Sequence, residues 1–250
     1  MPTFKFALAA ASLAALAVAM PAAAAPAGPV KNIVLVHGAF VDGSGWKAVA
    51  AILTKDGYKV TIAQPPETSL EDDIAATNRL LDMQDGPTVL VGHSYGGAVI
   101  TGAGNNGHVK SLVYVAAFQP DTGESLGSLG ASMPPAGHPL KPTADGYLYI
   151  DPAVFRADFA ADLPVAEASF MARSQVGLSV KAASAPTATP AWKTKPTFAI
   201  VATQDKSINP DLERSMYKRS HATVIELASS HAVYMSHPAE VAAFIEKAAQ

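Results

Sequence analysis

Between Asn32 and Leu227 the chain alternates short, nearly unbroken apolar runs with longer stretches in which apolar positions recur every three or four residues. The runs Asn32–Val36, Lys59–Ala63, Thr88–Val91, Ser111–Ala116, Thr197–Ala202 and Thr223–Leu227 read as strands buried on both faces, because half-exposed strands alternate instead. The stretches between them predict helices over Trp46–Asp56, Leu70–Met83, Tyr95–Gly104, Pro210–Ser220 and Pro238–Ala248. Ser69 stands where the second helix needs a cap, with Asp72 and Asp73 near its positive end. Asn209 and His237 each precede a proline at a first helical position, where its missing N–H is no loss. Strands alternating with helices in this way make an α/β fold, with a mostly parallel central sheet covered by helices on both faces.

Two segments depart from the alternation. Gln119–Thr194 is rich in Pro, Gly, Ala and Ser and has helical character only around Pro152–Ser174. A structureless loop of that length is rare in a compact domain, so a small lid inserted between two sheet strands is expected, within one domain spanning 26–250. At the other end, Lys5, the run Phe6–Met20 and the small residues Ala22–Ala25 have the layout of a secretory signal peptide, residues 1–25. The 15 residues of that run fall short of the roughly 20 that span a bilayer. A secreted or periplasmic product with no stable membrane anchor is therefore expected.

Composition narrows the chemistry. Charged residues at 16% and apolar residues at 49% exclude intrinsic disorder. With 18 Lys and Arg against 21 Asp and Glu, no excess of cations exists to hold a phosphate backbone, which excludes nucleic acid as a partner. The absence of cysteine removes disulfides, thiolate nucleophiles and cysteine-ligated zinc together. No two histidines stand at helix spacing with a nearby glutamate, so neither metal nor cofactor is expected.

The strand at Thr88–Val91 runs into Gly92-His93-Ser94-Tyr95-Gly96-Gly97, with a helix-forming segment behind it. Small neighbours let a chain reverse tightly there and leave the serine hydroxyl exposed. The same G-x-S-x-G spacing recurs at Gly123–Gly127, but in the irregular insertion, so Ser94 rather than Ser125 is the candidate nucleophile. A neutral hydroxyl needs a base within reach and a carboxylate to orient that base. His231 follows the last strand after Ser229-Ser230 and suits the role; His237 reads as a helix cap and His221 as a helix end. His108 and His138 lie in turn contexts, and His37 and His93 abut the loops that shape the site. Asp205, at the end of Phe198–Gln204, is the favoured carboxylate, and Asp121 is the alternative. Asp151, Asp158 and Asp162, in the insertion, read as solvated or capping groups. A tetrahedral oxyanion would be met by the backbone N–H groups of Ala39, in His37-Gly38-Ala39-Phe40, and of Tyr95.

Val36–Phe40 through Trp46, Gly92–Gly97, Ala202–Asp205 and Ser229–Pro238 together resemble the α/β-hydrolase superfamily, and within it the small serine esterases that group with plant methylesterases and hydroxynitrile lyases. The resemblance implies Ser94, Asp205 and His231 as nucleophile, orienting acid and base, with Ala39 and Tyr95 as oxyanion donors. Dehalogenases and epoxide hydrolases of this fold use a carboxylate nucleophile, and similar hydroxynitrile lyases carry a lysine where this chain has Ala232. Cofactor-independent hydrolysis of an apolar small-molecule ester through an acyl-enzyme is thus expected, with Phe40, Phe118 and Trp192 among the substrate-binding walls. Met133, Phe155, Phe159, Phe170 and Met171 are further candidates for those walls. Acyl transfer, lactone hydrolysis and non-catalytic binding of a small molecule are the alternatives.

Overall fold

Six of the apolar runs form one parallel sheet. The computed structural model describes residues 1–3 and 30–250; the run and cleavage region of the expected signal peptide lie outside the described residues. In chain order the first elements are β1 (Asn32–Val36), α1 (Lys47–Lys55), β2 (Lys59–Ala63), α2 (Leu70–Leu81), β3 (Thr88–Ser94), α3 (Gly96–Ala103) and β4 (Val109–Ala117). The insertion follows, with α4 (Leu126–Ser132), β5 (Lys141–Pro142), β6 (Tyr147–Tyr149), α5 (Phe155–Phe159), α6 (Val165–Met171), β7 (Leu178–Ser179) and α7 (Val180–Ser184). The chain then returns to the sheet through β8 (Thr197–Ala202), α8 (Pro210–Arg219), β9 (Thr223–Leu227), α9 (Val233–Ser236) and α10 (Pro238–Ala248). Strand order is β2-β1-β3-β4-β8-β9.

Successive residues of a strand point to opposite faces, and the core divides accordingly. Val34, Val36, Leu90, Leu112 and Tyr114 pack with α2, α3 and α8 on one face. Ile33, Leu35, Val89, Val91 and Val113 pack with α1 and α10 on the other. Burial on both faces holds for β1, β3 and all but one residue each of β4 and β8; at the edges the expectation fails, since β9 leaves Thr223, Val224 and Glu226 exposed and β2 is only half-buried. An edge strand lacks a neighbour to cover it, and the charged residues Lys59 and Glu226 stand there.

Capping follows the expected chemistry with one exception. Ser69 accepts the Asp72 amide and Asn209 accepts the Asp211 amide. His237 stands at the N-cap of α10 but makes no capping bond; its Nδ1 instead pairs with the Ser236 hydroxyl at 2.9 Å. The insertion holds more regular structure than its composition suggests: besides α5 and α6 it carries α4, α7 and a three-stranded antiparallel sheet β5-β6-β7. Ser125, in the second G-x-S-x-G, is the N-cap of α4 in a reciprocal capping box with Ser128.

Candidate active site

β1 pairs with β2 on one side and β3 on the other, so the strand order reverses between β1 and β3. Open parallel sheets bind their ligands at the carboxyl ends of the strands beside such a reversal. Val36 is in register with Gly92, which sets His37-Gly38 beside His93-Ser94. β3 turns into α3 within two residues, and Ser94 takes a left-handed φ of 53°. That turn is possible only with small neighbours: a Cβ on Gly92 would stand 2.5 Å from the Gly96 carbonyl oxygen, and one on Gly96 would stand 2.6 Å from that of His37. Phe40, at φ 68°, is a second residue held in the left-handed region, with its amide fixed on the Val176 carbonyl at 3.1 Å. Such strain in bulky residues persists where surrounding bonds over-determine the backbone.

The loop after β9 brings His231 to the same edge. Its Nδ1 donates to Asp205 Oδ2 at 2.5 Å, and both side chains are buried. The other oxygen of Asp205 accepts the amides of Ser207 at 2.6 Å and Ile208 at 2.9 Å, which fixes the carboxylate from behind. A carboxylate can only accept, so a proton of the imidazole lies on Nδ1, and in the neutral ring the lone pair is then on Nε2. That Nε2 is buried and has no hydrogen-bond partner among the described residues, Ser94 included. Ser94 and His231 are bridged by His93, whose ring centroid lies 4.6 Å from that of His231 and whose Nε2 donates to the His231 carbonyl at 3.0 Å. Burial drives the His93 imidazole well below its ordinary range, so it packs there neutral.

Ser94 opens on a cavity of about 210 Å³ whose walls include Ala39, Phe40, Tyr95, Phe118, Met133, Phe159 and Leu212. Among the described residues its lining carries no charged side chain; the polar side chains are those of Ser94, Ser207 and Asn209 beside Tyr95, whose phenol is held on Asp73. A wider space of about 690 Å³, reaching His138 and Lys206, shares Phe40, Gly127, Gly130, Pro135, Leu140 and Ser207 with it. The inner chamber is thus suited to an uncharged, apolar group, with the polar rim outside.

The model of the alpha/beta hydrolase family matches residues 33–244. The chain belongs to the alpha/beta hydrolase family. It is 37% identical over 114 residues to a carbendazim hydrolyzing esterase of Nocardioides sp. (strain SG-4G), an alignment covering 39% of this chain and 46% of that protein. It is 30% identical over 151 residues to lipase LipV of Mycobacterium tuberculosis, covering 54% and 51%. The chain thus spans about half the length of these curated relatives. A solved pyrethroid hydrolase from Sphingobium faniae JZ-2 superposes with a TM-score of 0.72 at 25% identity, covering 88% of this chain and 97% of that one.

Within this hydrolase fold the structure sorts the residues singled out by sequence. Ser94, Tyr95, Ala39, Phe40 and Phe118 meet at one cavity, and Asp205 meets His231. Asp121, the alternative carboxylate, is instead paired with Lys193. Trp192 does not line the cavity: its indole donates to the Pro120 carbonyl at 2.9 Å, and its ring packs beneath Arg219 and Lys193. Phe170 and Met171 face a separate groove beside Val41 and Met235, and Phe155 stacks behind Phe159 in the core. Asp158 is buried and bonded to His138 rather than solvated.

Two supporting residues carried no sequence signal. Asp162, 69 positions before His231, accepts the Ser229 hydroxyl at 2.7 Å and the Ser230 amide at 3.1 Å, and also the Ser230 hydroxyl. It therefore clamps the loop that delivers the imidazole. Burial pushes its carboxyl up, but the bonds from Ser230 and Ser229 outweigh this and hold it below the ordinary range. A depressed carboxyl stabilises the fold above its unfolded value and loses that contribution as pH falls through its folded value. Asp162→Ala is expected to cost about 1–2 kcal/mol at pH 7, less the more water screens the carboxyl, with the difference from the parent shrinking in acid. Thermal unfolding at pH 7 and pH 3 checks both statements. Glu213 lies behind Asp205, fully buried, and accepts the Ala202 amide at 3.3 Å. Burial and then the charge of Asp205 drive its carboxyl well above the ordinary range, so it stands neutral there.

Proposed function

We propose that this chain is a serine hydrolase of apolar carboxylic esters that works through an acyl-enzyme. The observation that carries the reading is the conjunction at one end of the sheet of Ser94 on a strained turn with an imidazole tied to Asp205 through Nδ1 and buried at Nε2, which has no hydrogen-bond partner among the described residues. In this reading Ser94 Oγ attacks the ester carbonyl carbon as its proton passes to His231 Nε2, and the carbonyl oxygen becomes the oxyanion. The amides of Ala39 and Tyr95 meet that charge. His231 then protonates the departing alcohol, and the acyl group stays on Ser94 Oγ. Water gives its proton to Nε2, attacks the acyl carbon and releases the acid as the proton returns to Oγ. Rotation of the Ser94 side chain toward Nε2 completes the arrangement, since catalytic hydrogen bonds often tighten only with substrate bound.

The apolar inner chamber takes one side of the ester, and the wider outer space takes the bulkier side. Relatives described as hydrolysing pyrethroids and carbendazim support a large, uncharged substrate of this type. Export follows the Lys5–Ala25 pattern and belongs to the same proposal. A series of p-nitrophenyl esters tests the reading of the chamber. Each added acyl methylene is expected to raise kcat/KM about fourfold until the chamber is full, following roughly 0.8 kcal/mol per buried methylene. Acyl groups ending in a carboxylate or a quaternary ammonium are expected to be poor substrates. Equal turnover of charged and apolar esters would contradict the assignment.

A further inference from the structure

Both segments assigned to the oxyanion lean on a pair of buried carboxyl groups that the proposed mechanism does not use. Asp73, on α2, accepts the Tyr95 phenol with one oxygen and the Glu67 amide with the other, the latter at 2.7 Å. Glu67 has no exposed surface and stands at a left-handed φ of 59°. Its Oε1 lies 3.5 Å from Nδ1 of His37, the residue that leads from β1 into Gly38-Ala39. Among the described residues neither oxygen of the Glu67 carboxyl meets a hydrogen-bond donor with good geometry, and His37 Nδ1 is itself committed to the Gly38 carbonyl at 3.0 Å. The insertion locks this corner: Ser179 donates its amide to the Glu67 carbonyl at 3.0 Å and its hydroxyl to that of Thr68 at 2.7 Å.

We propose that Asp73 and Glu67 are a positioning pair that sets the two oxyanion-donor segments against each other, Asp73 through Tyr95 and Glu67 through His37. A carboxylate buried beside the loop that must receive an oxyanion opposes the charge developing in the transition state, and a neutral carboxyl does not. The groups facing Glu67 are His37 from β1 and Asp73 from α2, with Tyr95 and Asp72 grouped around Asp73 and Asp42 near His37. Burial outweighs the pull of His37 and brings the Glu67 carboxyl up to about 7, so its proton is lost within the range where ester hydrolysis is measured. The inference rests on the serine-esterase reading.

The test is the pH profile of kcat and KM for a p-nitrophenyl ester from pH 5.5 to 9.5, using the full chain. The parent is expected to lose about tenfold in kcat as pH rises through 7, with KM nearly unchanged, as for a group that acts only on the transition state. Glu67→Ala is expected to lower kcat about tenfold at pH 6. Glu67→Gln restores it to within about threefold of the parent and abolishes the alkaline decline, which a purely structural role would not do. Asp73→Asn, which weakens the tie to Tyr95 and removes a charge that helps raise the Glu67 carboxyl, is expected to lower kcat at every pH and to move the alkaline decline to lower pH. An unchanged alkaline decline in Glu67→Gln overturns the proposal. Should that variant not fold by circular dichroism, the parent decides alone: a fall centred near 7 supports the proposal and none below pH 9 overturns it. Organophosphonate labelling of Ser94 in the same samples separates this from failure of the esterase reading, in which Ser94 takes no label.

Discussion

Ser94→Ala is expected to lower kcat/KM for a p-nitrophenyl ester about 10⁶-fold while leaving the fold intact. Alanine keeps the backbone and Cβ of the turn and removes only Oγ, so the left-handed strain at φ 53° is unchanged. The other serine on the cavity wall, Ser207, has its hydroxyl committed to the Asp158 carbonyl at 2.9 Å and cannot stand in. What survives is the contribution of binding and of the oxyanion donors, which still exceeds reaction in water. Ester turnover and far-ultraviolet circular dichroism, taken together, check the statement. A variant that keeps a hundredth of the parent activity would mean that Ser94 is not the nucleophile.

Asp205→Asn follows, with an expected loss of about 10⁴-fold in kcat. One oxygen of Asp205 receives the amides of Ser207 and Ile208, so an asparagine there must keep its carbonyl on that side. Its NH₂ group would then face His231 Nδ1, which must turn acceptor and move the ring proton to Nε2. The imidazole is left in place but in the tautomer that cannot take a proton from Ser94. Nitrogen-15 shifts of His231 report the tautomer directly, and kcat at saturating ester reports the consequence. A large loss of activity with the parent tautomer retained would show that Asp205 acts by some route other than orienting the ring.

The six sheet strands were legible as short apolar runs, and the helices between them because burial of one face imposes a period on the sequence. The ends moved by a few residues: β3 runs on to Ser94, and β4 extends from Val109 to Ala117. The edge strand β9 has the sequence of a fully buried one, since Val224, Ile225 and Leu227 are apolar, and only topology says which strand lacks a neighbour. Inside the insertion, two- and three-residue strands and helices of five to seven residues are too short to repeat a pattern. Ser94, Asp205 and His231 stood out because each follows a strand at the sheet edge where the chemistry must occur. Asp162 and Glu67 did not, since their roles arise from contacts across long separations of chain, and Glu213 did not because nothing in the pattern of α8 marks which of its polar residues turns inward. Trp192 shows the converse error: a large apolar side chain near a cavity is as readily a strut of the core, here under Arg219.

The central claim is that Ser94, and no other hydroxyl, is activated by His231. The most direct measurement is to react the protein with an organophosphonate at neutral pH, locate the adduct by peptide mass mapping, and compare the rate with that of His231→Ala. A single adduct on Ser94, formed at least a hundredfold more slowly in the variant, is the expected result. An adduct on Ser125 or elsewhere, or labelling of Ser94 at the same rate without the imidazole, would contradict it.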